Sequence, residues 1–236
     1  SPIAAESAPA TGAELRHLMA PRRVAVIGAS RDRQKIGGAI FHNLLDCGFT
    51  GAVFPVNPKA DAVAGVLAYP TVADIPGPVD LAVIVVPAAA VEAVVAECAA
   101  KGVSSVVVIS AGFAETGEAG RSLQNRLTAQ VRASGMRMIG PNCVGILNTD
   151  PAVSLNASFA ARAPLAGRIA MASQSGALGG ALLDQAKAMG LGVAQFVSLG
   201  NRADISSNDL LDFWAADERT DVILLYLESF GNPRNF

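Results

Sequence analysis

At 236 residues, 51% hydrophobic, 5% aromatic and 16% charged, the chain has the composition of a tightly packed globular protein rich in small apolar residues. A formal net charge of −2 argues against a nucleic-acid or membrane surface as partner, and leaves room for a local basic pocket. Three distant cysteines, Cys47, Cys98 and Cys143, form no C-x-x-C pair, so no disulfide framework or zinc site follows and a reducing, cytoplasmic setting is expected.

Residues 1–10 read as a small-residue tail, without the basic start and apolar core of a signal peptide. Thr11-Gly12-Ala13-Glu14 fits a capping box, opening a short helix through Met19 that leads to Pro21. "RRVAVIGAS" is a strand too apolar to have a wet face, as in a parallel sheet covered on both sides. Ile36, Ile40 and Leu44 then recur at helical spacing, with Phe41 and Leu45 beside them and Gly48 closing the helix. "GAVFPV" and "DLAVIVVP" are the next strands. Pro87 suits the first turn of a helix carrying Val91, Val94, Val95 and Cys98, ended by Lys101 and Gly102. "VSSVVVIS" is a strand, residues 118–134 a helix, and "MRMIG" a strand. Residues 149–166 lack periodicity and read as a linker or a strap over the surface. The rhythm then restarts: strand 168–172, helix 176–189, strand 192–198, helix 206–216 and strand 221–227. The fold expected is α/β, a Rossmann-like parallel sheet over 21–148 followed by the first part of a flavodoxin-like domain over 167–236.

Open parallel sheets bind ligands at the carboxyl ends of their strands, near the point where strand order reverses. After the first strand, Gly28 permits a tight turn, but a G-x-G-x-x-G fingerprint would need glycine at Ser30 and Arg33. Arg31, Arg33 and Lys35 instead precede the next helix, a favourable setting for phosphate. The second strand ends "PVNPK". Asn57 and Lys59 stand where an NAD site usually has a carboxylate, which suits a phosphorylated ribose, NADP or coenzyme A (CoA). Taken alone, Lys59 reads better as a solvated turn residue. "SAGFAETG" offers small residues and close backbone approach, and "GPNCVG" holds Asn142 beside Cys143, a thiol expected to be structural.

The turn Ser173-Gln174-Ser175-Gly176 sits between a strand and a helix. A nucleophile elbow would read G-x-S-x-G, and its triad would need a histidine after the serine. Ser175 is flanked by Ser173 and Ala177, and both histidines, His17 and His42, lie upstream. Two readings remain compatible: a phosphate cradle of Ser173, Ser175 and the amides of Gly176 and Ala177, or a helix capped by Ser175.

Together "VAVIGAS", "KIGG", "GFTGAVFPVNPK", "SAGF", "GPNCVGILN", "SQSGALG" and "YLESFGNPRNF" resemble the α-type portion of nucleoside-diphosphate-forming acyl-CoA synthetases, from about residue 20 to 236. The resemblance implies a Rossmann-like CoA-binding domain and a flavodoxin-like ligase domain, working through an acyl phosphate and a phosphohistidine. It implies CoA contacts from Gly28, Ala29 and Ser30, from Val56, Asn57, Pro58 and Lys59, from Val86 and Pro87, from Ser110, Ala111, Gly112 and Phe113, and from Asn142. Ser173, Ser175, Gly176 and Ala177 match the helix end that receives the phosphoryl group, and Glu228 the carboxylate that steadies the phosphohistidine. Neither His17 nor His42 matches that histidine, so the chain is expected to be one piece of a longer polypeptide, with ATP/ADP and Mg handled by an ATP-grasp domain or subunit elsewhere. A metabolite-sensing module of a fused acetyltransferase and an NADP-dependent oxidoreductase are the alternatives.

Overall fold

Residues 10–160 and 163–228, described by a computed structural model, form two five-stranded sheets that share one apolar core. The capping box forms as expected: Thr11 and Glu14 exchange side-chain-to-backbone bonds at the start of α1 (Gly12–Met19). The first sheet consists of β1 (Arg23–Ile27), β2 (Ala52–Val56), β5 (Leu81–Ile84), β6 (Ser105–Val108) and β7 (Arg137–Ile139), ordered β2-β1-β5-β6-β7 and parallel throughout. A hairpin of β3 (Ala62–Val63) and β4 (Val66–Leu67) follows β2, and a parallel bridge joins Val56 to Tyr69. Strands β5 and β6 are buried on both faces, which is why their sequences are unbroken apolar runs. Helices α2 (Ile36–Asp46), α3 (Ala88–Lys101) and α4 (Glu118–Ala133) connect them, and strand order reverses between β1 and β5.

The second sheet runs β12-β10-β11-β8-β9. Its parallel half is β10 (Leu165–Ser173), β11 (Gly192–Ser198) and β12 (Val222–Tyr226), joined by α5 (Gly176–Ala188) and α6 (Ser207–Ala215). Its other half is an antiparallel hairpin of β8 (Gly145–Asn148) and β9 (Leu155–Ser158). The segment 149–166, expected to be an aperiodic strap, therefore contains a fully buried strand. The period-2 signal is missing because both faces of Leu155-Asn156-Ala157-Ser158 are buried. Its polar members satisfy one another, the Ser158 hydroxyl donating to Asn156 Oδ1 at 2.7 Å.

The two sheets are locked together. Residues 201–205 run along the free edge of β7, with Asn201, Ala203 and Ile205 amides donating to the carbonyls of Pro141, Gly140 and Met138. The Asp204 carboxylate, with no exposed side-chain surface, accepts from Arg137 Nε at 3.0 Å, Arg132 Nε at 3.2 Å and the Met138 amide at 2.9 Å. A buried charge is tolerated only when so fully paired. Behind it, one continuous cluster runs from Leu15, Val24 and Ile40 to Ile146, Val197 and Trp214.

Candidate functional site

A cleft of about 1320 Å³ opens where the carboxyl ends of β5 and β6 face the turn between β10 and α5. Open parallel sheets bind ligands at the carboxyl ends of their strands, and this cleft lies one strand along from the β1–β5 reversal. The cleft gathers Val86, Pro87, Ser110, Ala111 and Asn142 from the first domain with Ser175, Gly176, Ala177 and Glu228 from the second. Ser110 ties two of these loops, its hydroxyl donating to Val86 O at 2.5 Å while accepting from Val86 N at 3.2 Å. Pro87 is the N-cap of α3, one position before the helical turn in which it was expected. Asn142 holds a left-handed backbone (φ 59°), donates its amide to Ser110 O at 2.9 Å, and donates Nδ2 to Asn201 Oδ1 at 3.3 Å.

At the second wall, Ser175 caps α5 by accepting from the Leu178 amide at 3.4 Å. Gly176 and Ala177 present the first turn of that helix to the cleft. Ser173 does not join them: it is buried, and its hydroxyl donates to Ser175 O at 2.6 Å, so it shapes the turn from behind. Gln174 lines the cleft and accepts from the Glu228 amide at 3.1 Å, which fixes the backbone carrying that carboxylate.

Other expected contacts lie outside the cleft. Val56 is buried and its carbonyl accepts from the Gly28 amide. A Cβ on Gly28 (φ +92°) would lie 2.1 Å from Val85 O, so this glycine admits the neighbouring strand. Ala29 is buried; Ser30 Oγ accepts from the Asp32 amide. Asn57 donates to Ala29 O at 2.8 Å and accepts from Lys59 N at 2.8 Å, tying the two loops together. Pro58, Lys59, Arg31 and Lys35 are exposed, and Arg33 pairs with Asp46 instead. Ile36, expected in the core stripe of α2, is 45% exposed because the helix's first turn projects into the cleft.

Phe113 was expected at the ligand and is fully buried. Its amide and that of Gly112 are taken by Glu115, whose Oε1 accepts from them at 3.1 and 2.6 Å. Glu115 Oε2 accepts from Asn201 Nδ2 at 2.5 Å, so this carboxylate bridges the two domains. Partial burial pushes its pKa up, but the Asn201 side chain and the Gly112 and Phe113 amides outweigh it and hold the group below the usual carboxylate range. The Cys143 thiol, pushed up to about 12 by burial, donates to Val108 O at 3.3 Å and is no nucleophile.

The candidate residues left out Glu115, Arg121, Asn201 and, within the quoted turn, Gln174, all of which line the cleft. Only Glu115 carried a local signal, an acid placed two residues after a glycine-bearing loop with free amides. No His, Cys, Asp or Glu group among the described residues suits a metal ion, and no helix among them is long and apolar enough to cross a membrane.

Residues 22–149 match the model of a CoA binding domain, and residues 166–236 that of a succinyl-CoA ligase like flavodoxin domain. The chain is 45% identical over 94% of its length to an ADP-forming acetate–CoA ligase I of Archaeoglobus fulgidus, covering 32% of that protein. It is 44% identical to the alpha subunit of an ADP-forming acetate–CoA ligase II of Pyrococcus furiosus, covering 94% of this chain and 48% of that one. Among solved structures, an acetyl-coenzyme A synthetase 1 of Ca. Korarchaeum cryptofilum, in complex with phosphate and ADP, superposes with a TM-score of 0.89 at 44% identity. That match covers 93% of this chain and 47% of the other. The chain thus spans about a third to a half of the proteins it matches.

Proposed function

The chain belongs to the CoA binding domain family, and on that premise we propose that it is the CoA-binding and phosphoryl-receiving part of an ADP-forming acyl-CoA synthetase of the acetate type. The observation that carries this reading is the cleft, which sets the strand ends of the first domain against the amino end of α5. Its 1320 Å³ exceeds the roughly 300–1,000 Å³ of pockets for compact ligands and suits an extended one. Its lining also fits CoA: Val86, Pro87 and Phe159 offer apolar surface for a neutral arm, and the α5 amides offer donors to phosphate oxygens.

In this reading Val86, Pro87, Ser110, Ala111 and Asn142 bind the coenzyme. Ser175, Gly176 and Ala177 hold the phosphoryl group on the helix end, where backbone N–H groups and the helix dipole both favour negative charge. Glu228 accepts a hydrogen bond from one N–H of an imidazole from another part of the protein, leaving the opposite nitrogen to carry phosphate. Arg31, Lys35 and Lys59, exposed and outside the cleft lining, take the nucleotide end, with Ser30, Asn57 and Pro58 next to them in the chain. Gly28, Ala29, Val56, Gly112, Phe113 and Ser173 act by shaping those turns. The nucleotide step belongs to an ATP-grasp domain or subunit outside these residues, a division that the subunit organisation of the Pyrococcus relative supports.

Calorimetric titration with CoA, dephospho-CoA and NADP tests the reading. Binding of CoA, weakened without its 3′-phosphate, supports it, whereas NADP binding without CoA binding overturns it.

A further inference from the structure

Among the described residues, Arg121 is the only basic side chain lining the cleft, and its guanidinium makes no hydrogen bond or ion pair with any of them. The cleft's two acids are placed differently. Glu115 is spent on Gly112, Phe113 and Asn201, and Glu228 comes from the second domain and forms no ion pair with Arg121. Arg121 also sits against the local rule. It is the fourth residue of α4, close to the positive end of the helix dipole, where a cation is disfavoured. Its backbone is nonetheless held firmly. Its amide donates to Gly117 O at 2.9 Å, and a Cβ on the preceding Gly120 would lie 1.9 Å from Phe113 O, so α4 is pressed onto the 110–113 loop. A guanidinium placed at an electrostatic cost, on a rigid turn, facing a large cleft without a protein partner, lacks an anion.

We propose that Arg121 is an anion-anchoring residue of this cleft, pairing its guanidinium with phosphate oxygens of the ligand bound there. The inference rests on the reading of the cleft as a CoA and phosphoryl site, and adds to it the cation that the motifs did not supply. Those oxygens have two sources, the phosphates of CoA itself or a separate phosphoryl group at α5. Guanidinium favours either, because its planar fork matches two oxygens of one phosphate.

The test is calorimetric titration of the wild-type chain and of R121K, R121A and R121E with CoA, pantetheine and inorganic phosphate, with circular dichroism as the fold control. The expected result is a loss of about tenfold in affinity for CoA or for phosphate in R121A, the value of one charge-assisted contact. R121E should lose more, R121K should recover part, and pantetheine binding should not change. A loss confined to CoA assigns the contact to the coenzyme's own phosphates, and a loss confined to inorganic phosphate assigns it to the phosphoryl group. Unchanged affinity in folded R121E for every one of these two ligands that the wild type binds overturns this inference alone. A wild-type chain that binds neither overturns the reading of the cleft and this inference with it.

Discussion

Two turns of this molecule have the same plan, a parallel strand breaking on small polar residues into a helix, and the fold uses them in opposite ways. After β1, the turn Gly28–Lys35 is packed shut: a Cβ on Gly37 would lie 2.0 Å from Gly28 O, and one on Gly38 1.9 Å from Asp32 O. After β10, the turn Gln174–Ala177 stays open, and a Cβ on Gly176 would meet one side-chain atom, Cγ2 of Val144, at 2.8 Å. The first turn therefore spends its glycines on packing and leaves Arg31 and Lys35 exposed outside the cleft lining. The second presents its helix end to the cleft. A strand-turn-helix pattern marks a possible anion site, but close packing against neighbouring backbone decides whether a ligand can reach it.

The largest expected effect comes from removing what holds the second turn over the first sheet. Asp204→Ala takes from Arg137, 9% exposed, its buried partner and leaves it only Glu14 at 3.5 Å, and should cost about 3 kcal/mol in urea unfolding. CoA affinity should fall with it; undiminished binding would mean that the first turn alone carries the ligand. Next, Gly37→Ala should destabilise by about 1–3 kcal/mol, because backbone cannot yield to the added methyl. Gly176→Ala should cost less, about 1 kcal/mol, since the added methyl meets one side-chain methyl rather than backbone and alanine favours the helix. Reversal of that order in matched melts would break the comparison. Ser175→Ala removes a long cap bond and should cost about 0.5–1 kcal/mol, read by the same melts.

The smallest effect is a pH dependence. Glu115 has a folded-state pKa below its ordinary value of 4.5, so its contribution is fully present above that value and is lost as pH falls through the folded pKa. Unfolding curves between pH 6 and about 3 should show a shallower acid loss in Glu115→Gln than in the wild type.

The parallel strands were legible because burial on both faces leaves an apolar run that nothing else explains, as in "VAVI" and "VVVI". The β8–β9 hairpin was not, since Asn156 and Ser158 are polar yet buried and bond to each other. Within the site, the strand-end residues Val86, Ser110 and Asn142 and the Ser175 turn were legible from the rule that parallel sheets bind at their carboxyl ends. Phe113, expected at the ligand, is buried with its amide spent on Glu115, a bond between side chain and backbone that spacing does not announce. Arg121 and Asn201 reach the cleft only through the packing of α4 and the docking of residues 201–205 on β7.

The central claim is that one ligand is held between the two domains. Hydrogen–deuterium exchange of the chain with and without CoA tests it most directly. The account predicts protection in both walls at once, at residues 85–88, 109–115 and 140–144 and at 174–177. Protection confined to residues 28–36 and 57–59, with the amino end of α5 exchanging as in the free chain, would contradict it.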